Sequence, residues 1–102
     1  MKTKIFLSGP VSHADSKQVA RNRRRFHRWA KIIEKRGYAV LNPATLPLGM
    51  EYGDYMHVCY GMVDVADGIF MLDGWRDSPG AKAEYDYALA KGLILLREEM
   101  WK

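Results

Sequence analysis

Short apolar runs alternate along the chain with longer segments in which apolar residues recur at helical spacing. The apolar runs predict β-strands at residues 4–8, 38–41, 68–72 and 93–96, and turn signals such as Gly-Pro and Asn-Pro end the first two. The helical spacing predicts helices from residue 15 or 16 to about 36, from about 52 to 65, and from 78 to 91. Residues 97–102 are expected to form a helical turn or to fray. The buried stripe of the first helix should consist of Val19, Phe26, Trp29, Ile32 and Ile33.

This alternation predicts an α/β fold of three layers, Rossmann-like or flavodoxin-like, in one domain spanning residues 1–102. Right-handed crossovers favour a four-stranded parallel sheet in the order 2-1-3-4. In that order the chain changes direction between strands one and three, and ligands bind beyond the carboxyl ends of strands at such a point. The loop at Ser8, Gly9 and Pro10 should therefore meet the loop at residues 73–80 in one crevice.

The loop after the third strand opens a helix with an anion-binding pattern. Ser78 is a favoured N-cap, and Pro79 suits the first helical position. Free backbone N–H groups at such a helix start form a ready anion site, which a phosphate could occupy. Glu84, in the second turn, would then be placed to act on a sugar that carries the phosphate. The pairing predicts an enzyme, although an ordinary solvated carboxylate has the same spacing.

The predicted geometry also sorts the other acids. Asp67 precedes the third strand, about five residues at ~3.3 Å each from the crevice, so a structural role is expected. The second helix should begin near the crevice and end away from it. Its early residues are therefore candidates and Asp64 is not. The candidates on this helix are Asp54, Tyr55, His57 and Cys59, while Asp73, Asp77 and Glu84 follow the third strand.

Several candidate residues have a structural interpretation as well. Asp73 could be a loop acid that bonds backbone amides. Trp75 could stack on a nucleobase or cover the core. Ser8 and Gly9 could form a tight turn or allow a ligand to approach the backbone closely. The three histidines and the single cysteine show no metal-ligand spacing, so no metal site is expected.

Composition restricts the class of protein. A chain of 102 residues with 48% hydrophobic content builds one modest core, and association into a dimer would stabilise it. One cysteine and no apolar run of membrane-spanning length predict a cytoplasmic protein without a membrane anchor. The net charge of +4 could attract nucleic acid, but a solvated helix face is favoured because no exposed aromatic residues interleave with the basic ones. The basic residues are Arg21, Arg23, Arg24, Arg25, Arg28, Lys31, Lys35 and Arg36.

Several short motifs together resemble a family of small phage and bacterial proteins, long of unknown function. That family is similar to nucleoside 2-deoxyribosyltransferases and 2'-deoxynucleoside 5'-phosphate N-hydrolases. The resemblance spans nearly the whole chain, and its most specific part is the Ser-x-Gly-x-x-x-Glu spacing. The motifs are the run at residues 4–10, Asn22 with Phe26, Asn42-Pro43, Tyr55-Met56, Gly74-Trp75, and residues 78–81 with Glu84.

The resemblance implies roles for individual residues. Glu84 would be the nucleophile that attacks the anomeric carbon. Ser78 goes with a phosphate-binding hydrolase, since the transferases carry aspartate there. The relatives form dimers or larger oligomers. The residues expected to bind substrate are Ser8, Gly9, Pro10, Asn42, Trp75, Ser78 and Gly80.

One residue departs from the pattern of the family. The relatives carry an aspartate in the helix before the third strand, where this chain has Cys59. A thiol replaces a carboxylate poorly as the group that orients the nucleophile or protonates the base. Asp54 or Asp73 would have to take over that role, or the activity would be weak or different.

The sequence therefore predicts an N-glycosidase that hydrolyses the base–sugar bond of a (deoxy)nucleoside 5'-monophosphate without a cofactor. Four alternatives stay open. The protein could be a nucleoside deoxyribosyltransferase, a non-catalytic nucleotide-binding protein, a basic nucleic-acid-binding accessory protein, or an NAD-cleaving enzyme of similar architecture.

Overall fold

A computed structural model describes residues 1–101 as a four-stranded parallel sheet covered by helices. The strands are β1 (Lys4–Ser8), β2 (Ala39–Leu41), β3 (Gly68–Met71) and β4 (Ile94–Arg97). The helices are α1 (Ser16–Lys35), α2 (Tyr52–Val65) and α3 (Pro79–Ala90). The strand order β2-β1-β3-β4 confirms the predicted α/β topology.

Element boundaries differ from the prediction by one or two residues. β2 and β4 each begin one residue later than expected, and β3 ends at Met71. α1 ends at Lys35, and Gly37 follows in the left-handed conformation with φ of 95°. In the C-terminal segment, Glu98–Trp101 form a 3-10 turn, whereas Lys102 lies outside the described residues.

The sheet separates two apolar clusters, because successive residues of a strand point to opposite faces. On one face, Ile5 and Leu7 of β1 pack with Phe26, Trp29 and Ile33 of α1. Val19 and Ile32, also predicted for that stripe, are half-buried. The other face holds α2 and α3, whose buried residues pack on β1 and β3. That second cluster contains Phe6, Cys59, Val63, Ile69, Met71, Trp75, Ala81 and Ala88.

The direction in which strands are added to the sheet reverses at β1, because β1 pairs with β2 on one side and with β3 on the other. Ser8 lies opposite Met71, and the Leu72 N–H donates to the Ser8 carbonyl at 2.8 Å, so the two strands end side by side. A Cβ on Gly9 would lie 2.8 Å from the Leu72 Cβ, which is closer than packed carbon atoms approach. Glycine is thus the residue that fits where the two loops diverge.

The basic side chains of the α1 segment divide into two groups. Of the eight at residues 21–36, six are exposed, in keeping with a solvated helix face. Arg23 instead donates to the Leu46 carbonyl at 3.0 Å, and Arg25 bonds to the loop after β3. None of the helices in residues 1–101 combines the length and the apolar character that crossing a bilayer requires. The six exposed residues are Arg21, Arg24, Arg28, Lys31, Lys35 and Arg36.

Candidate active site

Glu84 is a buried carboxyl at the edge of a cleft. It lies on α3, its exposed fraction is 4%, and its Oε1 accepts a hydrogen bond of 2.6 Å from the Ser8 hydroxyl. The two residues are 76 positions apart in sequence, and the parallel pairing of β1 with β3 brings them together. Glu84 is therefore not the solvated helix carboxylate that its spacing also allowed.

Burial is the main influence on the acidity of this group. It raises the pKa of Glu84 from 4.5 to about 7, although hydrogen bonds from Ser8 and Cys59 act in the opposite direction. Desolvation outweighs the two bonds because α3 and the sheet exclude water from the carboxyl. Near neutral pH, Glu84 exists both as a carboxylate, which can attack an electrophile, and as an acid.

Cys59 and Tyr55 of α2 lie beside Glu84. Cys59 is fully buried, and burial with the nearby Glu84 charge raises the pKa of its thiol to about 12. The pKa of Tyr55 lies well above its ordinary value, chiefly because of burial and then because of Cys59 and Glu84. Both side chains consequently stay protonated near neutral pH. Cys59 can donate a hydrogen bond to Glu84, but its thiol is too weakly acidic to protonate a leaving base.

The cleft at the carboxyl ends of β1 and β3 has a volume of about 790 Å³. Gly9 and Pro10 line it from the β1 loop, Tyr52 and Tyr55 from the start of α2, and Glu84 from α3. The loop after β3 completes the wall. Gly74, Asp77, Ser78, Pro79, Gly80 and Ala81 contribute from this segment. The two loops that the topology predicted to meet do form one cavity.

Ser78 and Gly80 form the part of the wall at the start of α3. The Ser78 hydroxyl caps α3 and accepts from the Ala81 N–H at 3.3 Å. A Cβ on Gly80 would lie 3.2 Å from the Tyr52 hydroxyl oxygen, so glycine allows that ring to approach α3. Ser78 keeps a hydroxyl hydrogen that can be donated to a ligand, since an alcohol both donates and accepts.

The other acids considered as candidates either line the cleft or lie away from it. Asp73 and Asp77 line the cleft, whereas Asp54 does not. Asp67 accepts from the Lys4 backbone N–H at 2.8 Å, and Asp64 from the Tyr87 hydroxyl at 2.6 Å. The last two are structural, as their positions predicted. Asp54 and Asp73 were the two acids predicted to take over the role of the family's aspartate. Of these two, Asp73 is the one that lines the cavity.

Three residues predicted to bind substrate do not line the cleft: Ser8, whose buried hydroxyl donates to Glu84, and also Asn42 and Trp75. Trp75 is 8% exposed within the core, stacked on Tyr85 with ring centroids 4.4 Å apart. Of its two interpretations, the structure therefore favours covering the core. The Asn42 side chain accepts from the Ala44 N–H at 3.0 Å and caps the 3-10 turn Pro43–Thr45. Neither residue lines the cleft, so a substrate-binding role for Asn42 or Trp75 has no support from the cavity.

Sequence reasoning missed Tyr52 and Arg25 as residues of the cleft. The orientation of α2 carried a signal for Tyr52, since the start of that helix was placed at the crevice. Arg25 stood among many basic residues and was assigned to solvent. Its spacing of three from buried Asn22 and four from buried Trp29 places it on the flank of the buried stripe.

Within residues 1–101, no three His, Cys, Asp or Glu side chains are grouped to hold a metal ion.

Comparison with known proteins gives a family and a fold. A family model described as a domain of unknown function, DUF4406, matches residues 3–97. Among solved structures, a 2-desoxiribosyltransferase from Leishmania mexicana is similar, with a TM-score of 0.64 and 22% identity over 93% of this chain. The chain spans 63% of the length of that structure.

The region matched by the family model includes all four strands. No curated protein in the comparison matches the chain. The structural likeness establishes that this sheet and its helices have the fold of a deoxyribosyltransferase. Because the family model covers nearly all of the sequence, the chain belongs to the DUF4406 family, and its fold is that of the solved 2-desoxiribosyltransferase.

Proposed function

We propose that this protein hydrolyses the N-glycosidic bond of a (deoxy)nucleoside 5'-monophosphate, with Glu84 as the nucleophile. The observation that carries the proposal is the buried Glu84 carboxyl, bonded to Ser8 at 2.6 Å and opening onto a cavity of about 790 Å³. A solvent-shielded carboxylate stabilises the positive charge that develops on a sugar far better than an exposed one does. The likeness to a deoxyribosyltransferase supports the same chemistry.

The reaction proceeds in two displacements. A Glu84 carboxylate oxygen forms a bond to the anomeric carbon while the carbon–nitrogen bond breaks, and its electron pair leaves with the base. Water then attacks the anomeric carbon, and the ester bond to Glu84 breaks. The proton of the water passes to a proton-accepting side chain in the cleft. The products are the free base and the (deoxy)ribose 5-phosphate, with Glu84 returned as a carboxylate.

Protonation of the departing base is assigned to Asp73. Cys59 is unsuited because the pKa of its thiol is about 12, and Asp54 does not line the cavity. Asp73 does line it, one loop away from Glu84. The residue pattern at Ser78 favours water over a second base as the acceptor, and transfer to another base would use the same ester intermediate.

Base release from purified protein tests the proposal. A panel of 5'-monophosphates and the matching nucleosides is incubated with the protein, and free base is measured by chromatography. We expect release by the wild type and loss of release in Glu84→Gln. Asp86→Asn, an exposed acid two residues further along α3, is the matched control and should release base like the wild type. Equal release by Glu84→Gln and the wild type would remove Glu84 from the mechanism.

A second candidate is a nucleotide-binding protein without catalysis, and Cys59 is the observation that favours it. With a thiol where relatives carry an aspartate, the site could bind a nucleotide and leave its glycosidic bond intact. Thermal stabilisation by a nucleotide with no base released after prolonged incubation would select this candidate.

We propose that the protein is located in the cytoplasm and that it forms a homodimer or a larger oligomer. The reduced, buried Cys59 accords with a reducing compartment. Val58 and Val65 of α2 are exposed apolar side chains, with exposed fractions of 37% and 56%, which supports association. Sedimentation of the purified protein gives the oligomer number directly.

A further inference from the structure

Arg25 is the permanent positive charge of the cleft. Among the described residues that line the cavity it is the one Arg or Lys side chain, whereas Asp73, Asp77 and Glu84 are acidic. A phosphate monoester brings a further charge of about −1.5 to −2 at pH 7. Without a cation, such a ligand would enter a cavity whose fixed side-chain charges repel it.

The structure holds Arg25 in place from two sides. Its Nη2 donates to the Asp73 carbonyl at 2.7 Å and to the Glu98 carboxylate at 3.0 Å. The Glu98 side chain is 7% exposed and that of Arg25 is 23% exposed. Glu98 lies in the C-terminal 3-10 turn, 73 residues from Arg25. A buried carboxylate therefore fixes an arginine on α1 beside the loop that leads into α3.

The amides at the start of α3 are too few to hold a phosphate alone. Pro79 has no N–H, the Ser78 N–H donates to the Trp75 carbonyl, and the Ala81 N–H donates to the Ser78 hydroxyl. The Gly80 N–H and the Ser78 hydroxyl hydrogen are the donors that remain for a ligand at this turn of the described chain. A dianion normally accepts more hydrogen bonds than two, so a further donor is needed.

We propose that Arg25 binds the 5'-phosphate together with Ser78 and Gly80, and that Glu98 is the residue that positions Arg25. A guanidinium has five N–H donors, and the bonds to Asp73 and Glu98 use two of them. Arg25 thereby decides that the site takes a nucleotide in preference to a nucleoside. The inference rests on the proposed function for the identity of the ligand, but it concerns binding and not bond cleavage.

Binding is measured in the Glu84→Gln background, so that no substrate is consumed. Calorimetric titrations use purine and pyrimidine deoxynucleoside 5'-monophosphates and the matching nucleosides. Arg25→Gln should weaken nucleotide binding about tenfold or more, as expected for loss of a charge-assisted bond, and leave nucleoside binding unchanged. Arg25→Lys should recover part of the loss because it restores the charge without the planar fork. Arg28→Gln, an exposed position on the same helix, is the matched control.

Glu98→Gln tests the positioning role. We expect nucleotide affinity to fall by about threefold, less than for Arg25→Gln, since an amide still accepts one hydrogen bond but no longer attracts the guanidinium. The weakened binding should also become more dependent on salt, because a less firmly held arginine is better solvated. An unchanged affinity in Glu98→Gln would overturn the role of Glu98.

A second variant serves as the control for effects of the substitution on folding. Arg25→Gln removes the guanidinium that Glu98 binds, so the double variant Arg25→Gln/Glu98→Gln, which removes both charges, is tested in parallel. Equal losses for nucleotide and nucleoside, or a wild type that does not prefer nucleotides, would overturn the inference. A nucleotide preference that depends on Arg25, in a protein whose Glu84 form releases no base, would retain the inference and discard the proposed hydrolase.

Discussion

The Ser8 hydroxyl donates a hydrogen bond of 2.6 Å to the Glu84 carboxyl, and both groups are buried. The bond links the end of β1 to α3, and through it β1 influences the acidity of the proposed nucleophile. Burial raises the pKa of Glu84, and this bond acts against the rise.

The pH dependence of base release should follow the ionisation of Glu84. As nucleophile it must be a carboxylate, so the acid limb of kcat/KM should rise with pH up to about 7. Ser8→Ala removes a bond that stabilises the carboxylate, which moves this limb of the profile to higher pH. The control is Ser16→Ala, at an exposed position on α1. A limb at the same pH in Ser8→Ala would show that the bond does not influence the nucleophile.

Stability should fall as the pH rises from 4.5 to about 7. The folded protein keeps the Glu84 proton up to about pH 7, whereas the unfolded chain loses it near 4.5, so the unfolded state binds fewer protons in this range. The difference corresponds to about 3 kcal/mol of unfolding free energy lost above pH 7.

Glu84→Gln should remove most of this loss of unfolding free energy between pH 4.5 and about 7. The variant is expected to be more stable than the wild type at pH 8, and the two should converge near pH 4.5. Urea denaturation across this range measures the difference, with Asp86→Asn as a variant that should keep the wild-type slope. A Glu84→Gln protein that is less stable than the wild type at pH 8 would contradict the raised pKa.

Cys59 should resist thiol reagents in the folded protein. It is fully buried, and the pKa of its thiol is about 12, so almost none of the reactive thiolate exists at pH 8. We expect no reaction with a colorimetric disulfide reagent until denaturant is added, and then one thiol per chain. Rapid modification under native conditions would place Cys59 outside the Glu84 environment.

Gly9→Ala should destabilise the protein by about 1–3 kcal/mol, the usual cost of overpacking. The added methyl would lie 2.8 Å from the Leu72 Cβ, between the ends of β1 and β3. Gly61→Ala is the matched control, because nothing lies within 4 Å of its Cβ position on α2. There alanine should stabilise by about 0.5–1 kcal/mol through helix propensity. Thermal or urea unfolding of both variants checks the contrast.

The order of strands and helices followed from local patterns in the sequence. Runs such as residues 4–8 and 68–72 are apolar on both faces because helices cover both sides of the sheet. The cap at Ser78 and the stop at Gly37 depend on the preferences of single residues, which act without tertiary contacts. The predicted strand order then placed the loop after β1 and the loop after β3 at one cavity, and this step did not require the positions of side chains.

What the tertiary structure alone decided is which side chains are buried and what they meet. Glu84 and Asp86 lie on the same helix, yet only the first is enclosed, because the sheet and α2 cover one side of α3. Trp75 lies in the core, which is one of the two positions its sequence allowed, and Arg25 lies at the cleft, although its basic neighbours suggested a solvated face. Hydrogen bonds such as Ser8 to Glu84 and Arg25 to Glu98 join residues more than 70 positions apart. Spacing along the chain holds no record of such contacts, since they arise only when separate elements pack.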